Sequence, residues 1–390
     1  MSKKQINQLE IIRQVESRKL TQKFGSELLS LSSRQLRRKQ KRYRRDGING
    51  LQHKSIGKSG NNRIPQKVVA KIITLAMGKY IGYGPTLMRE RLSEQHNIKI
   101  GYETLRRLLI KYNLWTVKKK GKIKHVWRER KHCEGELIQA DGSRHLWFGG
   151  ENYIDLLGLI DDATGKIYIK FARENTVDFS TFFKEFVEEN GVPQAFYCDR
   201  GKVFKVNNVK YKLDAKTQFE RMLSELDVNV IHASSPQAKG RIERLFKTLQ
   251  DRLLKELKEN NICDVDSANA YLKKSNFIEK FNDRFSVQAI SDTVVYKSVE
   301  HFDLNSIFCK KYYRKINNDY TVQFKQNWYQ LLKKQPVKLK TGMAIEIRLQ
   351  FDNTIGIFSN GHKLNCQPIE KRKEKPAKTK VYNNRTSANS

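Results

Sequence analysis

The chain has 390 residues, enough for two to four domains and a sizeable core, and its 76 Lys and Arg outnumber its 41 Asp and Glu for a net charge of +35. That excess is larger than a generic solubility surface needs and points to a polyanion partner. The five cysteines are scattered without a C-x-x-C pair, which argues against a zinc knuckle or a disulfide framework; no stretch approaches the ~18 apolar residues of a membrane span, so a soluble protein of a reducing cytosol, without a membrane partner, is expected.

The charge is uneven. Residues 1–130 hold 33 basic and 8 acidic side chains, residues 131–260 hold 20 and 21, and residues 261–390 hold 23 and 12. Two basic flanks therefore enclose a neutral middle. The first flank opens with helical apolar spacing over 5–16, then a second helix at about 21–30 with Phe24, Leu28 and Leu29 inward. Ser32-Ser33 caps a third helix starting near Arg34, which carries Arg34, Arg37, Arg38, Lys41 and Arg42. A short turn followed by a capped, densely basic helix reads as a helix-turn-helix with a DNA-recognition helix. The pattern repeats in kind beyond a Gly/Ser/Asn/Lys linker. A helix starts at Pro65, another covers 86–95, and a third at 102–112 carries Arg106 and Arg107. Two such modules in tandem suggest a bipartite double-stranded DNA site, and a basic connector follows.

Near residue 137 the period changes. Residues 137–141 read as a strand ending in Asp141, 153–160 as a buried strand and 167–171 as an alternating one. A helix at 177–189, a strand at 195–198 ending in Asp199, a helix at 216–226 and a strand at 228–231 complete an α/β layout. Ser234 or Ser235 then caps a helix with Pro236 at its first position. Along it Ile242, Leu245, Phe246, Leu249, Leu253 and Leu254 share one face and Glu243 another. A carboxylate at the end of a strand in an open α/β sheet faces the crevice where ligands bind. Asp141, Asp199 and Glu243 together suit two Mg²⁺ ions, which prefer oxygen ligands and in pairs promote phosphoryl transfer. Singly, each has a plainer reading: Asp141 caps a turn, Asp199 pairs with Arg200, Glu243 pairs with Lys247. Asp161 and Asp162 sit in a turn with Thr164-Gly165 and read as turn formers, with assistance to a metal as the alternative.

The set Gln139-Ala-Asp141, Cys198-Asp199-Arg-Gly201 and Ser235-Pro-Gln-Ala-Lys-Gly-Arg-Ile-Glu243-Arg resembles the DDE catalytic core of bacterial insertion-sequence transposases, a ribonuclease-H-like fold shared with retroviral integrases. The resemblance implies that Asp141, Asp199 and Glu243 are the catalytic, metal-binding triad, with Mg²⁺ as cofactor and Mn²⁺ able to substitute. It makes Lys239 and Arg241 phosphate contacts. It further implies binding to the element's terminal inverted repeats, strand cleavage and transfer into target DNA, a homo-oligomer on DNA, and a place at the bacterial nucleoid. Two departures stand out. The 43 residues between Asp199 and Glu243 exceed the commonest spacing of the wider family, with the surplus placed in an extra loop at 202–216. The zinc module of retroviral integrases is missing.

Beyond the core, a helix is expected at 268–283. Short strands at 311–315, 320–324, 329–332, 343–349 and 354–359 suggest a small β-barrel. Its Tyr312, Tyr313, Arg314, Trp328, Lys333 and Lys334 fit a DNA backbone or, equally, another protein surface. The expected fold is thus multidomain. Helix-turn-helix domains occupy 1–52 and 65–116, joined by a linker at 53–64, and a connector covers 117–134. The α/β ribonuclease-H-like core spans 135–260, a helical extension 261–300, the barrel 301–370 and a disordered basic tail 371–390.

Overall fold

A computed structural model describes residues 3–52, 63–117, 129–199, 203, 216–232 and 240–370. Most of the expected linker, connector and extra loop lies outside the described residues, as do Ser234, Ser235, Pro236, Lys239 and the tail. The chain divides into two compact units, residues 1–123 and 124–390.

In the first unit, α1 (Lys3–Glu16), α2 (Gln22–Leu28) and α3 (Ser33–Asp46) form a helix-turn-helix. Ser32 sets the start of α3: its hydroxyl accepts from Gln35 N at 3.3 Å while Gln35 Oε1 accepts from Ser32 N at 3.1 Å, a reciprocal capping box. Leu36 packs with Ile11, Ile12, Val15 and Leu51. Against expectation, Phe24 and Leu28 are 50% and 49% exposed, and Gly25 and Ser26 are buried instead. A Cβ on Gly25 would come within 2.7 Å of Val15 Cγ2, so α2 approaches its neighbour on its smallest side chains and turns its large ones outward. The second triplet, α4 (Gln66–Met77), α5 (Pro85–His96) and α6 (Tyr102–Lys111), encloses its own core around Ile72, Tyr80, Met88, Leu92 and Leu105.

The second unit is built on a five-stranded sheet of β1 (Ile138–His145), β2 (Ile154–Asp161), β3 (Ile167–Phe171), β4 (Ala195–Cys198) and β5 (Asn229–His232), in the order β3-β2-β1-β4-β5. β2 runs antiparallel to β1 and β3, and β4 runs parallel to β1 and β5. This is the ribonuclease-H-like arrangement. Helices cover both faces. Ile138, Ala140, Leu157 and Leu159 point into a core with Phe179 and Phe183 of α7 (Thr176–Asn190) and Phe219 of α8 (Gln218–Glu225). Leu156, Ile160 and Phe171 point the other way, into a core with Leu245, Phe246 and Leu249 of α9 (Gly240–Glu259). Burial of β2 on both faces explains its unbroken apolar run.

The single helix expected at 268–283 is two, α10 (Val265–Lys274) and α11 (Phe277–Phe285), broken at Asn276 with φ +52°. Asn269 of α10 bonds the N–H and carbonyl of Phe171 at 2.9 and 2.8 Å, and Asn282 of α11 bonds those of Ile167 at 2.8 and 3.2 Å. A straight helix would set these two asparagines about 20 Å apart, against about 13 Å between their targets on β3. The break closes that gap, and the edge strand β3 gains side-chain partners for its outer backbone groups.

The C-terminal strands are β6 (Lys310–Lys315), β7 (Thr321–Phe324), β8 (Asn327–Leu331), β9 (Ala344–Leu349), β10 (Ile355–Ser359), β11 (His362–Lys363) and β12 (Cys366–Ile369). The expected small barrel does not close. The strands form two sheets, β11-β10-β9-β6 and β12-β8-β7, over one core of Val322, Phe324, Leu331, Ile345 and Ile347. The four- and five-residue strands of the β7–β8 hairpin pair onward only with β12, so the ladder never returns to β6. β6 is stitched to α8 beside the five-stranded sheet. Gln218 of α8 exchanges bonds with Lys311 N and O at 3.0 Å, and Lys311 Nζ lies 2.8 Å from Glu225.

Candidate active site

The strand register organises the site. Ile138 stands opposite Phe196 and Gln139 opposite Tyr197 on parallel strands. Carried two residues further, that register sets Asp141 level with Asp199. β4 has ended there, at Cys198, whereas β1 continues to His145 against β2. Asp141 is therefore in mid-strand and not at a strand end as expected, but it stands at the fork where β1 and β4 part. Its face is fixed by alternation: Ile138 and Ala140 enter the α7–α8 core, so Gln139, Asp141 and Ser143 face the other way. Phe196 and Cys198 likewise enter that core, so Tyr197, and Asp199 by continuation, face with Asp141.

α9 lies across this same face. Gly158, the cross-strand partner of Asp141, has Phe246 so close that a Cβ would meet its ring at 2.8 Å. Gln250 Nε2 donates to Ser143 Oγ at 3.2 Å. Glu243 is exposed in the first turn of α9, whose buried stripe runs Ile242, Leu245, Phe246, Leu249, Leu253 and Leu257; Leu257 takes the place expected of Leu254. On the opposite face, the absent Cβ of Gly142 makes room for Glu174, whose Oε2 would lie 2.7 Å from it.

Several supporting groups escape local sequence patterns. His232 of β5 has Nδ1 3.4 Å from the Asp199 carbonyl oxygen and Nε2 3.0 Å from Glu220. Asp161 closes its turn as expected, accepting from Thr164 N at 2.7 Å and Thr164 Oγ1 at 2.8 Å, and takes a third bond from Gly135 N. Burial pushes its carboxyl above the usual range against the pull of those donors. Asp162 does more than form a turn. It is fully buried and accepts from Lys131 N at 2.9 Å, Gln139 Nε2 at 2.5 Å and Arg241 Nη1 at 2.7 Å.

The predicted DNA contacts fall into three settings. Arg34, Arg37, Arg38, Lys41 and Arg42 are all exposed along α3. Arg106 Nη1 and Arg107 Nε both lie 3.0 Å from Glu103 Oε1 within α6. Arg241 lies on Asp162, and Lys239 is outside the described residues.

Among the described residues, no three His, Cys, Asp or Glu side chains are gathered to hold a metal ion. Asp141, Asp199 and Glu243 are all carboxylates, the ligand type a hard divalent cation prefers, with Asp141 on β1, Asp199 just past the end of β4 and Glu243 on the helix that crosses the face of β1.

A family described as a homeodomain-like domain matches residues 35–109. A transposase of Sinorhizobium fredii, y4bF, is 32% identical over 381 residues, covering 95% of this chain and 82% of its own length. The transposase for insertion sequence IS1202 of Streptococcus pneumoniae is 28% identical over 82% of this chain and 76% of its own length. Among solved structures, the HTLV-2 integrase catalytic core domain in complex with magnesium aligns with 36% of this chain and 86% of its own at 14% identity, with a TM-score of 0.29. At so slight an overlap the core fold rests on the strand order above. Similarity at the level of the Sinorhizobium protein, sustained along nearly the whole chain, is decisive: the chain belongs to the transposases of bacterial insertion sequences.

Proposed function

We propose that this transposase binds the terminal inverted repeats of its own element and performs Mg²⁺-dependent strand cleavage and strand transfer at Asp141, Asp199 and Glu243, with Mn²⁺ able to substitute. One observation supports the reading: the β1–β4 register, carried two residues past its last pair, brings Asp141 level with Asp199 where the strands part, on the face that the helix bearing Glu243 crosses. Residues 1–52 and 65–116 grip double-stranded DNA through Arg34, Arg37, Arg38, Lys41, Arg42, Arg106 and Arg107, and Lys239 meets phosphate on the approach to the catalytic helix. Residues 135–260 carry the chemistry in the cytoplasm, at the nucleoid. Two element ends held together call for a homo-oligomer.

Bound at these carboxylates, Mg²⁺ supplies an activated water and stabilises the departing 3′ oxygen. The chain supplies the geometry. Asp141 is set by strand pairing with β2, Asp199 follows directly on the last residue of β4, and the glutamate is carried by a helix packed on the same sheet. Cleavage frees a 3′-OH at the element end. The same pocket then presents that hydroxyl to a target phosphodiester; a P–O bond forms to it as the target's own 3′ oxygen leaves.

The test is cleavage of DNA carrying the element ends, in Mg²⁺, by the parent chain and Glu243→Gln. We expect the variant to bind DNA like the parent while cleavage drops by more than the ~100-fold that loss of a supporting residue costs. Equal cutting by both proteins would remove Glu243 from the site. Cutting without any strand-transfer product would mark a nuclease, and binding without cutting by either would mark a DNA-binding regulator.

A further inference from the structure

We infer that Asp162 is a positioning residue that ties the strand of Asp141 to the helix of Glu243 through one buried carboxylate oxygen; this rests on the metal-site reading above. Its Oδ1 receives both Gln139 Nε2 and Arg241 Nη1. Each donor lies two residues before a proposed metal ligand, Gln139 before Asp141 and Arg241 before Glu243. On β1 a two-residue step returns to the same face, about 6.7 Å along. On α9 a two-residue step turns about 200°, so Arg241 and Glu243 flank the buried stripe on opposite sides. Holding Arg241 therefore fixes the rotation of α9 about its axis, and that rotation decides where Glu243 stands relative to Asp141.

The clamp is anchored on its own account. The second oxygen of Asp162 accepts from Lys131 N, and Asp162 N donates to Leu137 O at 2.9 Å just before β1 begins. The carboxylate is 0% and the Arg241 side chain 18% exposed, so this guanidinium is held on protein. A phosphate contact needs it turned outward.

The test uses the full chain and three readouts besides cleavage: the thermal midpoint, the Mg²⁺ concentration that gives half of the metal-dependent rise in that midpoint, and the salt dependence of DNA binding. Removing Arg241 alone would strand a buried carboxylate, so the main variant is the neutral pair Asp162→Asn with Arg241→Gln. We expect it to fold and to bind DNA with the parental salt dependence, while the Mg²⁺ requirement rises and cleavage slows by roughly 10- to 100-fold, as for lost supporting groups at metal sites. Gln139→Met is the second variant. It removes only the strand side of the clamp, and Gln139 Oε1 has no hydrogen-bond partner to lose. It should fold even if the pair does not, and should raise the Mg²⁺ requirement several-fold, within the same range. A parental Mg²⁺ requirement in either folded variant overturns the clamp. A salt slope reduced by about one in the Asp162→Asn, Arg241→Gln pair makes Arg241 a phosphate contact instead. Glu243→Gln, run alongside, separates the two failures: if its Mg²⁺ response and cleavage match the parent, the site reading falls and not merely the clamp.

Discussion

α3 and α6 are both basic helices that close a helix-turn-helix, yet their charge is spent differently. Between Ser33 and Arg45, α3 holds no acidic residue, and its five predicted contacts are exposed. The carboxylates near it act at its far end, where Glu16 takes Arg44 and Asp46 takes Arg45. α6 carries Glu103 in its first turn, and that one carboxylate faces both Arg106 and Arg107. Such exposed pairs contribute little to stability. They do offset part of the local positive field that a phosphate would feel. Counting arginines therefore overstates the free positive charge of α6 more than that of α3.

The contrast can be broken by mutation. Replacing Arg37, Arg38 and Lys41 together by alanine should have the largest effect: DNA binding weakens, and the slope of log affinity against log salt becomes shallower by nearly one unit per phosphate contact removed. A slope unchanged in a salt titration would take α3 off the DNA. Ser32→Ala should act next, through structure and not charge. Loss of the capping box costs about 1 kcal/mol, read as a lower denaturation midpoint of the N-terminal region. Glu103→Gln should have the smallest effect and the opposite sign. With the carboxylate neutralised, Arg106 and Arg107 are no longer offset, and DNA binding should tighten by no more than a few-fold, as suits exposed, solvent-screened pairs. No change in affinity would place α6 away from DNA altogether.

Features set by neighbouring residues were legible in the sequence. The cap at Ser32, the burial of β2 and the apolar stripe of α9 follow from short-range pattern. The misread features depend on partners far along the chain. Gly142-Ser143 looks like a turn that would end β1, but the glycine serves the close approach of Glu174, and the strand runs on to His145. Phe24 and Leu28 obey helical spacing and still face out, because helix contact at Gly25 leaves no room for them. The break at Asn276 answers the spacing of backbone groups on β3, more than a hundred residues earlier. The carboxylate motif pointed to Asp141, Asp199 and Glu243, whereas the partner of Arg241 lies 79 residues away and no local pattern announces it.

That separation bears on the order in which the molecule acquires its abilities. The cores of α1–α3 and α4–α6 close from segments near one another in sequence, and helical units of that kind fold fast. α9 is made more than a hundred residues later and must find strands already synthesised, a slower search. On a ribosome the proposed DNA grip is thus finished before the proposed cutting site exists. On the proposed reading, a nascent or prematurely ended chain would hold DNA and be unable to cut it.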